Sequence, residues 1–207
     1  DDVGENCIAV ASGANANLNE KDILAVEALI QKADILLMQL ETPLSTIQYA
    51  AKIAFYANVT VLLNPAPAQK LPSDLLKHVS ILTPNELEAE SLTGIKVIDD
   101  VSAKNASLSL SSMGPKVIVI TLGAAGLYLH HKDFSGIIPG FKMNAIDTTA
   151  AGDVFNGGLA AALSENCDIF KAVKFAQAAA AISVTRLGAQ PSAPRKEEID
   201  KFVLSKQ

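Results

Sequence analysis

Val117-Ile118-Val119-Ile120-Thr121 is an unbroken run of β-branched residues, the composition of a strand buried on both faces. Leu122-Gly123-Ala124-Ala125-Gly126 follows, where two glycines mark a turn, and Leu127-Tyr128-Leu129-His130-His131 reads as a strand returning beside the first. Short apolar runs of the same kind lie upstream at residues 35–39, 59–63 and 79–82, and residues 6–12 suggest one more. Helical spacing separates them. Residues 20–32 carry Ile23, Val26, Ala28, Leu29 and Ile30, and Pro43 starts a helix running to residue 57. Further helices are expected at 74–77, from 85 or 86 to 92 with Gly94 as the stop, and at 102–111, 151–163, 170–185 and 197–204. Strands alternating with helices predict an α/β fold with a mostly parallel sheet and helices on both faces. Such sheets bind ligands at the carboxyl ends of their strands.

The 207 residues are 49% hydrophobic and 19% charged, enough for one domain spanning residues 1–207 around a real core. A membrane span needs about 18 continuous apolar residues. The best candidate, residues 117–129, is shorter and holds Gly123 and Gly126, so no membrane association is expected. Net charge is −5 and the basic residues are dispersed, which argues against nucleic acid as a partner. Cys7 and Cys167 are far apart and form no C-x-x-C pair, consistent with a reducing cytoplasm. The chain opens on Asp1-Asp2 without methionine; residue 1 is read as an internal position of a longer protein.

The chemistry concentrates in Asp147-Thr148-Thr149-Ala150-Ala151-Gly152-Asp153, followed at once by a helix. Small residues let backbone N–H groups approach an anion, and the helix N-terminus adds partial positive charge. An Asp in that first turn can take a proton from an attacking hydroxyl. By itself the segment also fits an ordinary small-residue turn. Extended to Asp147-Thr148-Thr149-Ala150-Ala151-Gly152-Asp153-x-Phe155-x-Gly157-Gly158, it resembles the C-terminal signature D-T-x-G-A-G-D-x-F-x-x-G of the ribokinase, or PfkB, sugar kinases, with Ala150 in place of the first glycine. Other segments resemble the same family in order and spacing. They are Met38-Gln39-Leu40-Glu41, Leu63-Asn64-Pro65-Ala66-Pro67-Ala68, Thr83-Pro84-Asn85-Glu86-Leu87-Glu88-Ala89-Glu90, Thr121-Leu122-Gly123-Ala124-Ala125-Gly126 and Gly188-Ala189-Gln190-Pro191-Ser192.

The resemblance implies a ribokinase-like three-layer α/β/α fold lacking its N-terminal portion, with residues 6–12 as a residual lid strand. It implies transfer of the γ-phosphoryl of ATP to D-ribose, with Asp153 as base and the backbone of Ala150, Ala151, Gly152 and Asp153 as the anion hole. Asn85, Gly152, Asp153, Gln177 and the loop Thr121, Leu122, Gly123, Ala124, Ala125, Gly126 are implied nucleotide contacts. Glycines in that loop would stand where a side chain would collide. The family usually has His at the position of Gln177. Glu88 is implied to hold Mg²⁺ through water, although Asn85 and Glu88 equally form a helix capping box and both roles can hold. Asp147 and Thr149, with Ser183, Arg186, Gly188 and Ser192, are implied to surround K⁺. Glu41 is implied to bind ribose hydroxyls. Asn64, placed just after a strand, fits a loop cap and a ligand contact equally. A homodimer joined through the lid is implied for the full-length protein. Two rival readings are a kinase of another sugar or nucleoside and a non-catalytic nucleotide-binding fragment. His78, His130 and His131 show no catalytic pattern.

Overall fold

The computed structural model describes residues 11–206. Among them, six strands form one sheet in sequential order: β1 (Ile35–Met38), β2 (Thr60–Leu63), β3 (Ile81–Leu82), β4 (Val117–Thr121), β5 (Gly126–His131) and β6 (Phe134–Pro139). The pairs β1–β2, β2–β3 and β3–β4 are parallel, and β4–β5 and β5–β6 are antiparallel. The helices are α1 (Gly13–Asn17), α2 (Glu20–Ala25), α3 (Glu27–Ile30), α4 (Leu44–Tyr56), α5 (Ser73–Leu76), α6 (Glu86–Thr93), α7 (Asp100–Ser112), α8 (Ala151–Ser164), α9 (Ile169–Ser183) and α10 (Lys196–Ser205).

Val61, Leu62 and Leu63 are all fully buried, so β2 is apolar throughout because both sheet faces are covered. On one face Val61, Leu63, Leu82, Ile118 and Ile120 pack with α4 and α7 through Ala51, Ala54, Ala103 and Leu110. On the other face Leu62, Ile81, Val119, Leu127 and Leu129 pack with Phe155 and Leu159 of α8 and Val173 and Ala176 of α9. α10 closes against α9, with Ile199 buried. The result is the three-layer α/β/α arrangement with a mostly parallel sheet that the sequence predicts. No helix among the described residues is long and apolar enough to cross a membrane.

Several elements differ from the sequence reading. The helix expected at 20–32 is two short helices on either side of Val26, whose φ of −115° and ψ of 11° leave the helical region. Leu24 and Leu29 remain largely exposed and only Ile30 is buried. With little apolar face covered, tertiary packing does not hold a continuous helix there. Strand β6 is new. It contains Gly136, ends on Pro139, and follows a two-residue connection, Lys132-Asp133, that lacks the Asn-Gly type signal of a hairpin. The strand expected at 79–82 pairs only over Ile81–Leu82, and α9 stops at Ser183 rather than at 185. α1 was not anticipated. The strand expected at 6–12 lies outside the described residues except for residues 11 and 12, which are not in a strand.

Candidate functional site

The carboxyl ends of the four parallel strands lie along one edge, and the loops leaving them are laced together by hydrogen bonds. The Leu40 N–H donates to the Ala66 carbonyl (2.8 Å), and the Asn64 N–H donates to the Met38 carbonyl (2.9 Å). The Asn64 side chain donates to the Thr83 carbonyl (2.9 Å), and the Thr121 N–H donates to the Pro84 carbonyl (2.9 Å). Asn64 therefore caps its loop on the next strand. Backbone that would otherwise be irregular is paired, which holds this edge rigid.

α8 arrives at this edge from the far face of the sheet. Its N-cap is Ala150 at φ 59° and ψ 14°, left-handed and without a side-chain cap bond. Among the described residues nothing accepts from the N–H groups of Gly152 and Asp153. Those N–H groups and the helix dipole form a cradle for negative charge. A Cβ on Gly152 would meet nothing, so the approach to the turn is open.

Beside the turn lies a cleft of about 490 Å³, lined by Asn85, Thr121, Gly123, Gly126, Gly152 and Gln177 among others. Ala124 also lines it, whereas Leu122 packs into the core under α4 and α7, and the Ala125 N–H is spent on the Leu122 carbonyl. Neither Leu122 nor the exposed Ala125 lines the cleft. The two loop glycines differ, since a Cβ on Gly123 would meet nothing within 4 Å. A Cβ on Gly126 would lie 2.2 Å from the Ile138 carbonyl oxygen and 2.4 Å from the Gly140 nitrogen. Gly126 is demanded by the β5–β6 hairpin, and Gly123 by its φ of 52°. Phe141 and Met143 line the cleft too; they fall in an irregular loop where neither periodicity nor motif marks them.

Gln177 is buried, and its Nε2 donates to the Ile138 carbonyl (3.2 Å) while Oε1 has no partner among the described residues. Asp153 lines a second cavity of about 590 Å³ along α8. Its carboxyl is pushed above the ordinary carboxylate value by partial desolvation and then by the charge of Glu41. Glu41 is exposed just beyond β1, with its backbone N–H bonded to the Gln39 side chain.

Asn85 and Glu88 form a complete capping box. The Asn85 N–H donates to Glu88 Oε2 (2.8 Å), Asn85 Nδ2 donates to Oε1 (3.1 Å), and the Glu88 N–H donates to Asn85 Oδ1 (2.8 Å). Burial raises the Glu88 carboxyl above its ordinary value, partly offset by the Asn85 N–H. With both carboxylate oxygens already accepting, Glu88 suits a hydrated cation through a water rather than as a direct ligand. No cluster of three acidic, His or Cys side chains able to hold a metal occurs among the described residues.

Of the other cation candidates, Thr149 and Gly188 meet Asp147. Asp147 accepts from the Thr149 N–H (2.9 Å) and from the Gly188 N–H (2.8 Å). The Thr149 side chain and these N–H groups hold the Asp147 carboxyl below its ordinary value. The Arg186 N–H donates to the Ser183 carbonyl (2.9 Å), while the Arg186 side chain turns away to pair with Glu198. Ser192 is buried, with Oγ donating to the Ala189 carbonyl (2.7 Å). The two Asp147 carboxylate oxygens thus face backbone N–H donors.

Comparison with known proteins matches this arrangement. The pfkB family carbohydrate kinase profile matches residues 1–196. A ribokinase of Haemophilus influenzae is 52% identical over 199 residues, which cover 96% of this chain and 65% of that protein. A deoxyribokinase of Salmonella typhi is 34% identical over 96% of this chain and 65% of its own length. The structure of Arabidopsis thaliana ribokinase complexed with ribose and ATP superposes with a TM-score of 0.90 at 30% identity, over 96% of this chain and 65% of that one. The chain thus spans about two thirds of the length of the relatives it matches. It belongs to the pfkB family of carbohydrate kinases.

Proposed function

We propose that the whole protein moves the γ-phosphoryl group of ATP to the primary hydroxyl of D-ribose. The observation that carries this reading is the turn at residues 150–153, where two unpaired N–H groups and the Asp153 carboxylate share the first turn of α8. The Arabidopsis relative solved with ribose and ATP supports the pairing of substrates.

In this reading the polyphosphate runs from the cleft lined by Asn85 and Thr121 toward the N–H groups of Gly152 and Asp153. Donors fixed in advance stabilise charge on the transferring group without reorganising. Asp153 accepts the hydroxyl proton; its raised proton affinity makes it a better base than an ordinary Asp. It sits in the same first turn as the two free N–H groups, next to where the transferring phosphoryl would lie. Glu41 binds vicinal hydroxyls of the sugar, since a carboxylate accepts two hydrogen bonds at once. Mg²⁺, when bound, would neutralise polyphosphate charge, with Glu88 ordering one of its waters. Asp147 and Thr149, with the backbone at Ser183, Arg186, Gly188 and Ser192, would hold K⁺ behind the anion hole and stiffen it. Cytoplasmic residence, a single domain over 1–207 and a lid-mediated homodimer belong to the same reading.

The deoxyribokinase relative keeps a second sugar in view. Steady-state phosphorylation of ribose, 2-deoxyribose and fructose with Mg·ATP tests the choice. Ribose should show the highest kcat/KM, and a preference for either of the others would move the assignment to that sugar.

A further inference from the structure

Helix α8 poses a physical problem. A helix start is normally steadied by an N-cap side chain that occupies one of its free N–H groups. An anion hole cannot use that device, because the cap would fill the site. α8 indeed has no cap bond, starts on a left-handed Ala150, and carries Gly152, Gly157 and Gly158, all poor helix formers. Something else must fix its first turn.

The buried polar groups nearby supply it. Asn156 is buried between Phe155 and Leu159 on the core side of α8. Its Nδ2 donates to the Gly152 carbonyl (2.9 Å), which leaves Oδ1 facing the sheet, where it accepts from the Thr83 hydroxyl (2.6 Å). Because the amide N–H must face a carbonyl, the orientation of the Asn156 amide is fixed. Thr83 is also buried, at the end of β3; its N–H donates to the Leu63 carbonyl (3.0 Å), and its own carbonyl accepts from Asn64 (2.9 Å). One unbroken chain of hydrogen bonds therefore runs from the loop after β2, through the end of β3, to the Gly152 peptide. An apolar residue at position 156 would pack against the sheet at least as well, and Asn is a poor choice inside a helix. Burying an amide and a hydroxyl makes sense where their geometry is used.

We propose that Thr83 and Asn156 are positioning residues. They tether the Gly152–Asp153 turn to the sheet edge from within, in place of an N-cap, and so keep the two N–H groups aligned and free for the terminal phosphate. This rests on the kinase reading above.

The test measures binding of ATP and of ADP to the protein and four variants by calorimetry: Asn156→Leu, Thr83→Val, their double variant, and Thr83→Ser. ADP serves as the internal control, since a general loss of structure weakens both nucleotides alike. The expected result is a loss of about tenfold or more in the ATP-over-ADP preference for Asn156→Leu and for Thr83→Val. The double variant should be no worse than either single one, as coupled partners require. Thr83→Ser, which keeps the hydroxyl, should retain the preference. A preference unchanged in Thr83→Val and Asn156→Leu, equal loss for both nucleotides, or a protein that binds neither nucleotide overturns the tether. Binding of ATP with no sugar phosphorylated by the unaltered protein overturns the kinase reading alone, and the tether is then still decided by the binding ratios.

Discussion

Partial burial, and after it the carboxylate of Glu41 just beyond β1, raises the proton affinity of Asp153 in the first turn of α8. The two residues are far apart in the chain, and packing of α8 against β1 brings them within range of each other's charge. A neighbouring negative charge disfavours ionisation, so Glu41 tunes the group proposed to take the hydroxyl proton, besides being the proposed sugar ligand.

Glu41→Gln should therefore lower the Asp153 pKa toward the ordinary carboxylate value, leaving only the part due to desolvation. Carbon-13 NMR titration of Asp153 reads this without relying on turnover. An unchanged titration midpoint would show that the two carboxylates do not interact.

Ala150 adopts a left-handed backbone conformation, which costs an L-residue roughly 1–2 kcal/mol. Ala150→Gly relieves that strain but loosens the unfolded chain by about 0.4–1 kcal/mol. The net expectation is a gain of about 0.5–1 kcal/mol, or roughly 1–4 °C in Tm for a chain this size. Differential scanning calorimetry checks it; a lower Tm would mean that the Ala150 methyl makes a contact worth more than the strain.

Asp147 is held ionised by the Thr149 side chain and by the N–H groups of Gly188 and Thr149. A depressed carboxyl pKa stabilises the fold above pH 3.8 and loses that contribution as pH falls through the folded value. Asp147→Ala should flatten this acid limb, and in kinase assays it should abolish any advantage of K⁺ over Na⁺. Equal rates in the two salts for the unaltered protein would remove the proposed cation from this cluster.

Glu88 has the opposite sign. Its folded pKa is raised, chiefly by burial, so its contribution to stability is full below pH 4.5 and is lost as pH rises through the folded value. Glu88→Gln keeps an acceptor for the Asn85 N–H and should remove that pH dependence. It should also raise the Mg²⁺ concentration needed for half-maximal turnover. Urea midpoints across this range and a Mg²⁺ titration read the two effects separately. An unchanged Mg²⁺ requirement would leave Glu88 as a helix cap alone.

What the sequence revealed follows physical rules. β4 was legible residue for residue because five β-branched side chains in a row fit little but a buried strand. Asn85 and Gly94 marked both ends of α6 by capping chemistry that is local to the chain. β6 was hidden because its pairing with β5 is set by tertiary context, with no turn residue to announce it. The site was legible where motifs carry it, at residues 147–153 and 121–126. Leu122 packs partly into the core, and a loop motif alone does not say which of its members do so. Thr83 and Asn156 were invisible as a pair because their hydrogen bond joins residues with no sequence relationship.

As the proposed base of an ATP-dependent ribose kinase, Asp153 is probed by kcat for ribose phosphorylation in the unaltered protein and in Asp153→Asn, with ATP affinity determined alongside. The expected result is a fall in kcat of about 10²–10⁴-fold with ATP affinity nearly unchanged. A variant that keeps half of the original kcat would contradict the claim.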